Sequence, residues 1–424
     1  MRITIQNVLA LFDDSTLRQC SIYIESGKIT SVDHAPEGFR AERTIDGRDR
    51  LLIPGLINAH THSYMTVFRN WADDLKFHDW LFGKILPAED KLTQEDCYWA
   101  TQLGLMEMLS TGTTCLLDMY IRPNAAAEAV RDAGARAVLS RGLVGGEQSV
   151  GDRLLSAAID EIQAWQNHEN ITFMLAPHAP YTCPPVYQRE VAAAAKALGI
   201  GIHTHIAETR GEVEEIQEKY GKSPAVLMDE DGLLNEKTVA AHCVYLDDED
   251  IALFTKRGAS VAHNPTSNLK LACGIAPVPQ MLASGVNVAL GTDGSASNNS
   301  LNLFGDLRLS ALLQKGTTGD PQAVTAREAL RMATQNGAHA LGLGDKIGKI
   351  AVGYQADLVL LDLSHPNMLP PNDPIAALVY SANGSEVVLT MVSGQIVYED
   401  GHFPTIDTVR VRTEMERIVR RVLS

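Results

Sequence analysis

The chain has 424 residues, 45% apolar and 21% charged, which is the balance of a globular protein with a large core and, at this length, of one large domain plus a smaller one. Its formal net charge of −16 argues against nucleic acid or an anionic membrane as the main partner, because binding phosphate needs a basic surface. No apolar run is long enough to span a bilayer, and Met1–Gln6 alternates like a strand rather than opening a leader peptide.

Residues 1 to about 50 read as short alternating strands with turns, as in Ser21-Ile22-Tyr23-Ile24-Glu25. The middle of the chain then alternates short apolar strands with amphipathic helices, the pattern of a parallel α/β fold. Strands are expected at Leu51–Ile57, Thr114–Met119, Ala137–Leu143, Thr172–Pro177, Gly201–Ile206, Thr238–His242, Ser260–His263 and Val286–Gly291. Eight such strands suit a (β/α)8 TIM-type barrel. An open doubly wound sheet is the alternative, but no G-x-G-x-x-G follows the first of them. From about residue 347 the short strands return, for example Asp357–Asp362 and Val387–Val392, and Arg410–Ser424 reads as a closing helix. The simplest organisation is a small β-sandwich built from both termini (1–54 and 347–424) beside a barrel inserted between them (55–346). The six cysteines, Cys20, Cys97, Cys115, Cys183, Cys243 and Cys273, are scattered with no C-x-x-C pair, a usage that fits a reducing cytoplasm.

Chemistry collects at the ends of the middle strands. The first ends in His60-Thr61-His62, and a side-chain period of two sends both imidazoles to one side. The fifth ends in His203-Thr204-His205-Ile206-Ala207-Glu208, the sixth in His242 and the eighth in Gly291-Thr292-Asp293-Gly294. Active sites of barrels sit at that end, and imidazoles with one carboxylate suit a divalent cation: zinc, with iron as competitor. The fourth strand ends in Pro177-His178 and carries no lysine of the kind that bridges two metals when carbamylated, which favours a single metal. His203 lies one layer below His205 and reads as a satisfied core histidine. His263 either touches substrate or makes a structural hydrogen bond. His34, His78, His168, His339, His365 and His402 fall in polar or helical stretches and read as surface residues.

Together, Pro54-Gly55-Leu56-Ile57-Asn58-Ala59-His60-Thr61-His62, His205-x-x-Glu208, Asn264-Pro265-x-x-Asn268 and Gly291-Thr292-Asp293-Gly294 resemble the amidohydrolase superfamily over nearly the whole chain. Within it they resemble most closely the deaminases of 5′-methylthioadenosine and S-adenosylhomocysteine. The resemblance implies that His60, His62, His205 and Asp293 bind one metal ion and that His242 hydrogen-bonds the water on it. Glu208 would be the proton shuttle and Asp293 the acceptor of the water's proton. An isolated glutamate is more often a solvated rim residue; three positions after a ligand histidine, the catalytic reading is favoured.

The same resemblance assigns a nucleoside pocket. Trp80 would lie against the purine, Glu89 would hold the ribose hydroxyls, His178 would contact the nucleoside, and Arg141 and Arg153 would meet a homocysteine carboxylate. Ordinary packing is an even alternative for Trp80, and a solvated surface position is the simpler reading of Arg153. Relatives often have Trp-Pro before the glutamate, where this chain has Leu86-Pro87. A homo-oligomer is implied by analogy alone. Two readings compete. One keeps the metal chemistry but acts on guanine, an oxidised purine, a pterin or a triazine, against which Glu89 and Arg141 speak. The other is a non-catalytic relative, which would be expected to lack ligands that are all present here. The H-x-E and P-C-x-x-C signature of cytidine-type deaminases is absent.

Overall fold

The computed structural model describes residues 1–12 and 16–424. The first five strands are β1 (Arg2–Leu11), β2 (Leu17–Glu25), β3 (Lys28–Val32), β4 (Arg43–Asp46) and β5 (Arg50–Pro54). The barrel strands follow as β6 (Leu56–Thr61), β7 (Thr113–Tyr120), β8 (Arg136–Leu143), β9 (Ile171–Phe173), β10 (Ala176–Pro177), β11 (Ile202–Ile206), β12 (Thr238–His242), β13 (Ser260–His263) and β14 (Asn287–Leu290). The chain ends with β15 (Leu358–Asp362), β16 (Val387–Val392) and β17 (Gln395–Glu399).

The barrel strands pair in parallel in two sheets, β6 to β10 and β11 to β14. A bridge between Leu175 and Ile202 joins the sheets on one side. On the other, the Asp293 N–H donates to the His60 carbonyl at 3.0 Å. There the approach is close: a Cβ on Gly291 would lie 2.9 Å from that of His60. The expected fourth strand is divided into β9 and β10, yet both pieces keep one register on β8, with Leu139 opposite Phe173 and Gly142 opposite Ala176. The interruption falls where Met174 and Leu175 turn their N–H groups to opposite neighbours, Leu139 and Gly201. Inside the barrel, Ile57, Cys115, Val138, Val239, Ala262 and Ala289 pack in one apolar cluster, to which Ala338 and Ala340 of the helix Gln335–Ala340 also belong.

The strand expected over Leu51–Ile57 is in fact two. β5 pairs antiparallel with β15, while β6 begins the barrel against β7. Gly55 is the handover, and no other residue fits it, since a Cβ would stand 2.0 Å from Thr114 Oγ1. Strands from both ends of the chain thus form one eight-stranded sheet, with β15 beside β5 and β5 beside β1. Between sheet and barrel lies a buried ion pair: Arg136, opening β8, donates to Asp357 through Nε (2.7 Å) and Nη2 (3.1 Å), and to Ser393 Oγ at 2.7 Å. The closing helix runs Thr408–Val422 and buries Val411, Met415, Ile418 and Val422. It docks on the barrel side, where Arg421 pairs with Asp96 and donates to the Lys91 carbonyl. Among the described residues no helix is long and apolar enough to cross a membrane.

Candidate active site

Alternation along β6 puts His60 and His62 on the same side, with ring centroids 4.9 Å apart. Thr61 faces the other way and donates to Asp118 at 2.9 Å, and Asp118 also accepts the Ser63 N–H at 2.6 Å, which fixes the turn after the strand. The rings of His205 and His242 stand 4.9 and 5.4 Å from His60. Asp293 completes the group, its Oδ1 3.4 Å from His60 Nε2 and 3.2 Å from His62 Nε2. Its other oxygen is held by the hydroxyls of Ser267 and Ser297 at 2.6 and 2.7 Å. Asp293 and His242 both lie at left-handed φ, +63° and +71°, a conformation costing roughly 1 kcal/mol or more for a non-glycine residue. At a strand exit it turns these side chains onto the barrel rim.

Each ring is held from behind. His62 Nδ1 meets the Met119 carbonyl at 2.5 Å, His205 Nδ1 the His178 carbonyl at 2.7 Å, and His242 Nδ1 the Asn268 Oδ1 at 2.8 Å. His60 Nδ1 lies 2.8 Å from His203 Nε2. With Nδ1 engaged, Nε2 of each ring is the atom free to face a ligand. His60 Nε2 is buried with no hydrogen-bond partner, a situation costing about 1–3 kcal/mol unless something fills the centre. The ligand atoms of His60, His62 and Asp293, and those of His60, His205 and His242, lie within 4.8 Å of one another. This donor set fits a divalent cation: imidazole nitrogens backed by fixed acceptors, with one carboxylate oxygen left open.

The electrostatics agree. Burial would push Asp293 up, but hydrogen bonds from His60 and His62 hold it well below the usual carboxylate range. Burial depresses His60 to about 3 and drives His205 well below its ordinary value, keeping both imidazoles neutral, as ligation requires. Burial also works against charging His62, yet the Asp293 carboxylate raises it to about 9, an attraction that a bound cation would take over. Glu208 is buried, and burial raises its carboxyl although His242 opposes this. Its Oε1 lies 3.8 Å from Cys273 Sγ and 3.9 Å from His242 Nδ1. Glu212 fixes the backbone there, accepting the N–H groups of Ala207 and Glu208 at 2.8 and 2.9 Å.

His62, His205, Glu208, His242 and Asp293 line a cavity of about 390 Å³, together with Trp80, Glu89, Arg141 and His178. Trp80 comes from the helical segment after β6 and is 5% exposed, its indole N–H unpartnered. Glu89 accepts a hydrogen bond from the Tyr120 hydroxyl, and burial raises its carboxyl to about 7. His178 Nδ1 lies 3.0 Å from the Thr182 hydroxyl, and burial lowers it to about 4. Arg141 reaches the cavity already engaged, forking onto Glu161 and donating from Nη1 to the Ile121 carbonyl at 2.7 Å.

Arg153 does not join them. It sits exposed on the helix Gln148–Trp165, while its neighbour Leu154 lines the cavity. His203 is buried, as expected of a core histidine, but its contact with His60 is a supporting one that strand periodicity does not reveal. His263 fits neither of its expected roles: it is fully buried, lies outside the cavity lining, and has no partner on either ring nitrogen. Sequence reasoning missed Tyr120, Glu161 and Glu212, and it quoted Asn268 within a motif without its role of holding His242. Of the three missed, Glu212 carried a local signal, Thr209-x-x-Glu212 at a helix start, where the Thr209 hydroxyl accepts the Glu212 N–H.

Residues 51–397 match the amidohydrolase family model. The chain belongs to the amidohydrolase family. Among its relatives, a 5-methylthioadenosine/S-adenosylhomocysteine deaminase of Moorella thermoacetica is 48% identical over 384 residues, covering 90% of each chain. A zinc-bound adenosine deaminase from Xanthomonas campestris superposes with a TM-score of 0.95 at 33% identity, over 99% of this chain and 98% of that one. A zinc complex of an atrazine chlorohydrolase from Arthrobacter aurescens gives 0.92 at 26%, over 98% and 100%. This amidohydrolase is accordingly a metal-dependent hydrolase built on a TIM-type barrel.

Proposed function

We propose that the chain is a hydrolytic deaminase of 5′-modified adenosines, S-adenosylhomocysteine and 5′-methylthioadenosine, releasing ammonia and the inosine analogue. The observation that carries this is one cavity lined by His62, His205 and Asp293, by the buried Glu208 and by the Glu89 carboxylate, with His60 buried against the ligand atoms of His62 and Asp293. Relatives of 43–48% identity that carry this activity in their names support it.

On this reading His60, His62, His205 and Asp293 hold one divalent cation, zinc by the relatives crystallised with it, with iron the competitor. When bound, the cation supplies the Lewis acidity that makes water a nucleophile near neutral pH. Asp293 takes the attacking water's proton on Oδ1. Glu208, whose carboxyl is raised by burial, gives a proton to the adjacent ring nitrogen, then takes the hydroxyl proton of the adduct as the carbonyl forms and hands it to the departing amine. The proton held on Asp293 restores Glu208 for the next turnover. His242, fixed by Asn268, orients the oxygen at the attacked carbon. Trp80 lies against the purine and His178 contacts the nucleoside. Glu89 accepts the ribose diol on the oxygen that Tyr120 leaves free. Arg153 has no part in this site.

The terminal sheet, with Ile5, Ile22, Leu358 and Leu389 in one apolar cluster, is on this reading the small β-sandwich of residues 1–54 and 347–424, and residues 55–346 form the catalytic barrel. A cytoplasmic homo-oligomer is the expected setting, and the six cysteines, all unpaired and buried, suit it. The test is ammonia release, followed by ultraviolet absorbance, from zinc-loaded protein with both thio-nucleosides, adenosine, guanine and 8-oxoguanine. Turnover of the thio-nucleosides that Glu89→Gln weakens supports the proposal. Turnover of free bases alone would keep the chemistry and reject the substrate.

A further inference from the structure

Arg141 is the one lysine or arginine among the described residues lining the cavity; the lining carboxylates are Glu89, Asp90, Glu208 and Asp293. That lone guanidinium is not free. Glu161 lies behind it on the helix Gln148–Trp165, 6% exposed and outside the cavity lining. Its two oxygens take Nε at 2.9 Å and Nη2 at 2.5 Å of Arg141, while Nη1 is spent on the Ile121 carbonyl. Three of the five N–H donors are therefore committed, and the fork that best fits a carboxylate already holds one. The pair sums to zero charge in a weakly screened place, its side chains 16% and 8% exposed. Leu86, Val144 and Leu154 present apolar surface to the same cavity as Arg141.

A tail ending in a carboxylate would have to compete with Glu161 for the guanidinium and stand near the other acidic groups. An uncharged tail meets apolar side chains and disturbs nothing. We propose that Glu161 is a specificity-determining residue: by neutralising Arg141 it tunes the pocket towards adenosines with an uncharged 5′ substituent and against those with a carboxylate tail. This rests on the deaminase reading above and ranks the two substrates named there, 5′-methylthioadenosine ahead of S-adenosylhomocysteine, whose tail ends in a carboxylate.

The experiment compares kcat/KM for 5′-methylthioadenosine with that for 5′-deoxy-5′-(3-carboxypropylthio)adenosine, whose tail has a carboxylate and no ammonium, using zinc-loaded wild type and Glu161→Gln. Wild type is expected to favour the methylthio compound by about tenfold or more. Glu161→Gln keeps an acceptor for Arg141 but removes the negative charge, and should narrow that ratio by about tenfold, chiefly through a lower KM for the carboxylate compound. Adding Arg141→Gln to Glu161→Gln should abolish the narrowing. Because the readout is a ratio within one preparation, partial misfolding cancels. If Glu161→Gln does not fold, Arg141→Gln alone decides: a neutralised guanidinium predicts little change in the ratio, and a large loss on the carboxylate compound overturns the inference. Equal preference in wild type, or an unmoved ratio in Glu161→Gln, overturns it while leaving the deaminase reading intact. No turnover of either nucleoside overturns both.

Discussion

His203 Nε2 lies 2.8 Å from His60 Nδ1, so one histidine of β11 sets the ring of another on β6. Both are fully buried, and His203 is itself held by the Ser140 hydroxyl at 3.3 Å from its Nδ1. Losing such a partner typically weakens metal binding about 10–100-fold. His203→Phe should therefore release its metal to a chelator at lower concentration than wild type, while His203→Gln, which can still reach His60, should recover part of the loss. Equal retention by His203→Phe and wild type in a chelator titration would remove His203 from the support of the site.

Glu208→Gln should lower kcat by about 10²–10⁴ without releasing the metal, because Glu208 contributes no atom to the cluster. Metal content and turnover measured on one preparation separate the two effects. A variant that loses metal along with activity would mean that Glu208 helps hold the ion.

Glu89 makes stability depend on pH in a definite direction. Burial raises its carboxyl from 4.5 to about 7, so between those values the folded chain keeps a proton that the unfolded chain has released. Stability therefore falls as pH rises through this window, and the whole cost, on the order of 3 kcal/mol, is present above about 7. Glu89→Gln should raise Tm relative to wild type at pH 8 and change it little at pH 4. The same ionisation favours gripping a ribose diol, so KM of wild type should fall as pH rises through 7. A Tm difference equal at both pH values would contradict the assignment.

The Arg136–Asp357 pair joins barrel to terminal sheet with side chains only 4% and 1% exposed. Asp357→Ala leaves a buried guanidinium uncompensated and should cost about 3–5 kcal/mol in denaturant unfolding. Adding Arg136→Met should return much of it. A double variant no more stable than Asp357→Ala would locate the loss in the Asp357 hydrogen bond to the Ser393 N–H, 2.7 Å, rather than in the stranded charge.

The parts of the site visible in the sequence were those set by local geometry. His60 and His62 share a side because a strand has period two, and His205, His242 and Asp293 reach the same rim because parallel barrel strands all end there. Contacts made across the fold left no local trace. Tyr120, at the end of β7, finds Glu89 on the helical turn Leu86–Glu89, and Glu161 finds Arg141 from a helix whose rotation depends on docking. That same rotation turns Arg153 outward and Leu154 inward. The division of Leu51–Ile57 was hidden because both pieces are apolar; only the steric demand of Thr114 on Gly55 separates them.

The handover at Gly55 also bears on how the protein is made. β5 lies directly before β6, which ends in His60, yet its antiparallel partner β15 is Leu358–Asp362, about 300 residues later in the chain. A ribosome that has released the entire barrel has still not delivered the strand that pins the root of β6. Co-translational folding can assemble the barrel's strands early, but the first histidines gain their final anchor only once β15 has emerged. A truncation before β15 should therefore yield a protein that binds metal poorly with every ligand residue intact.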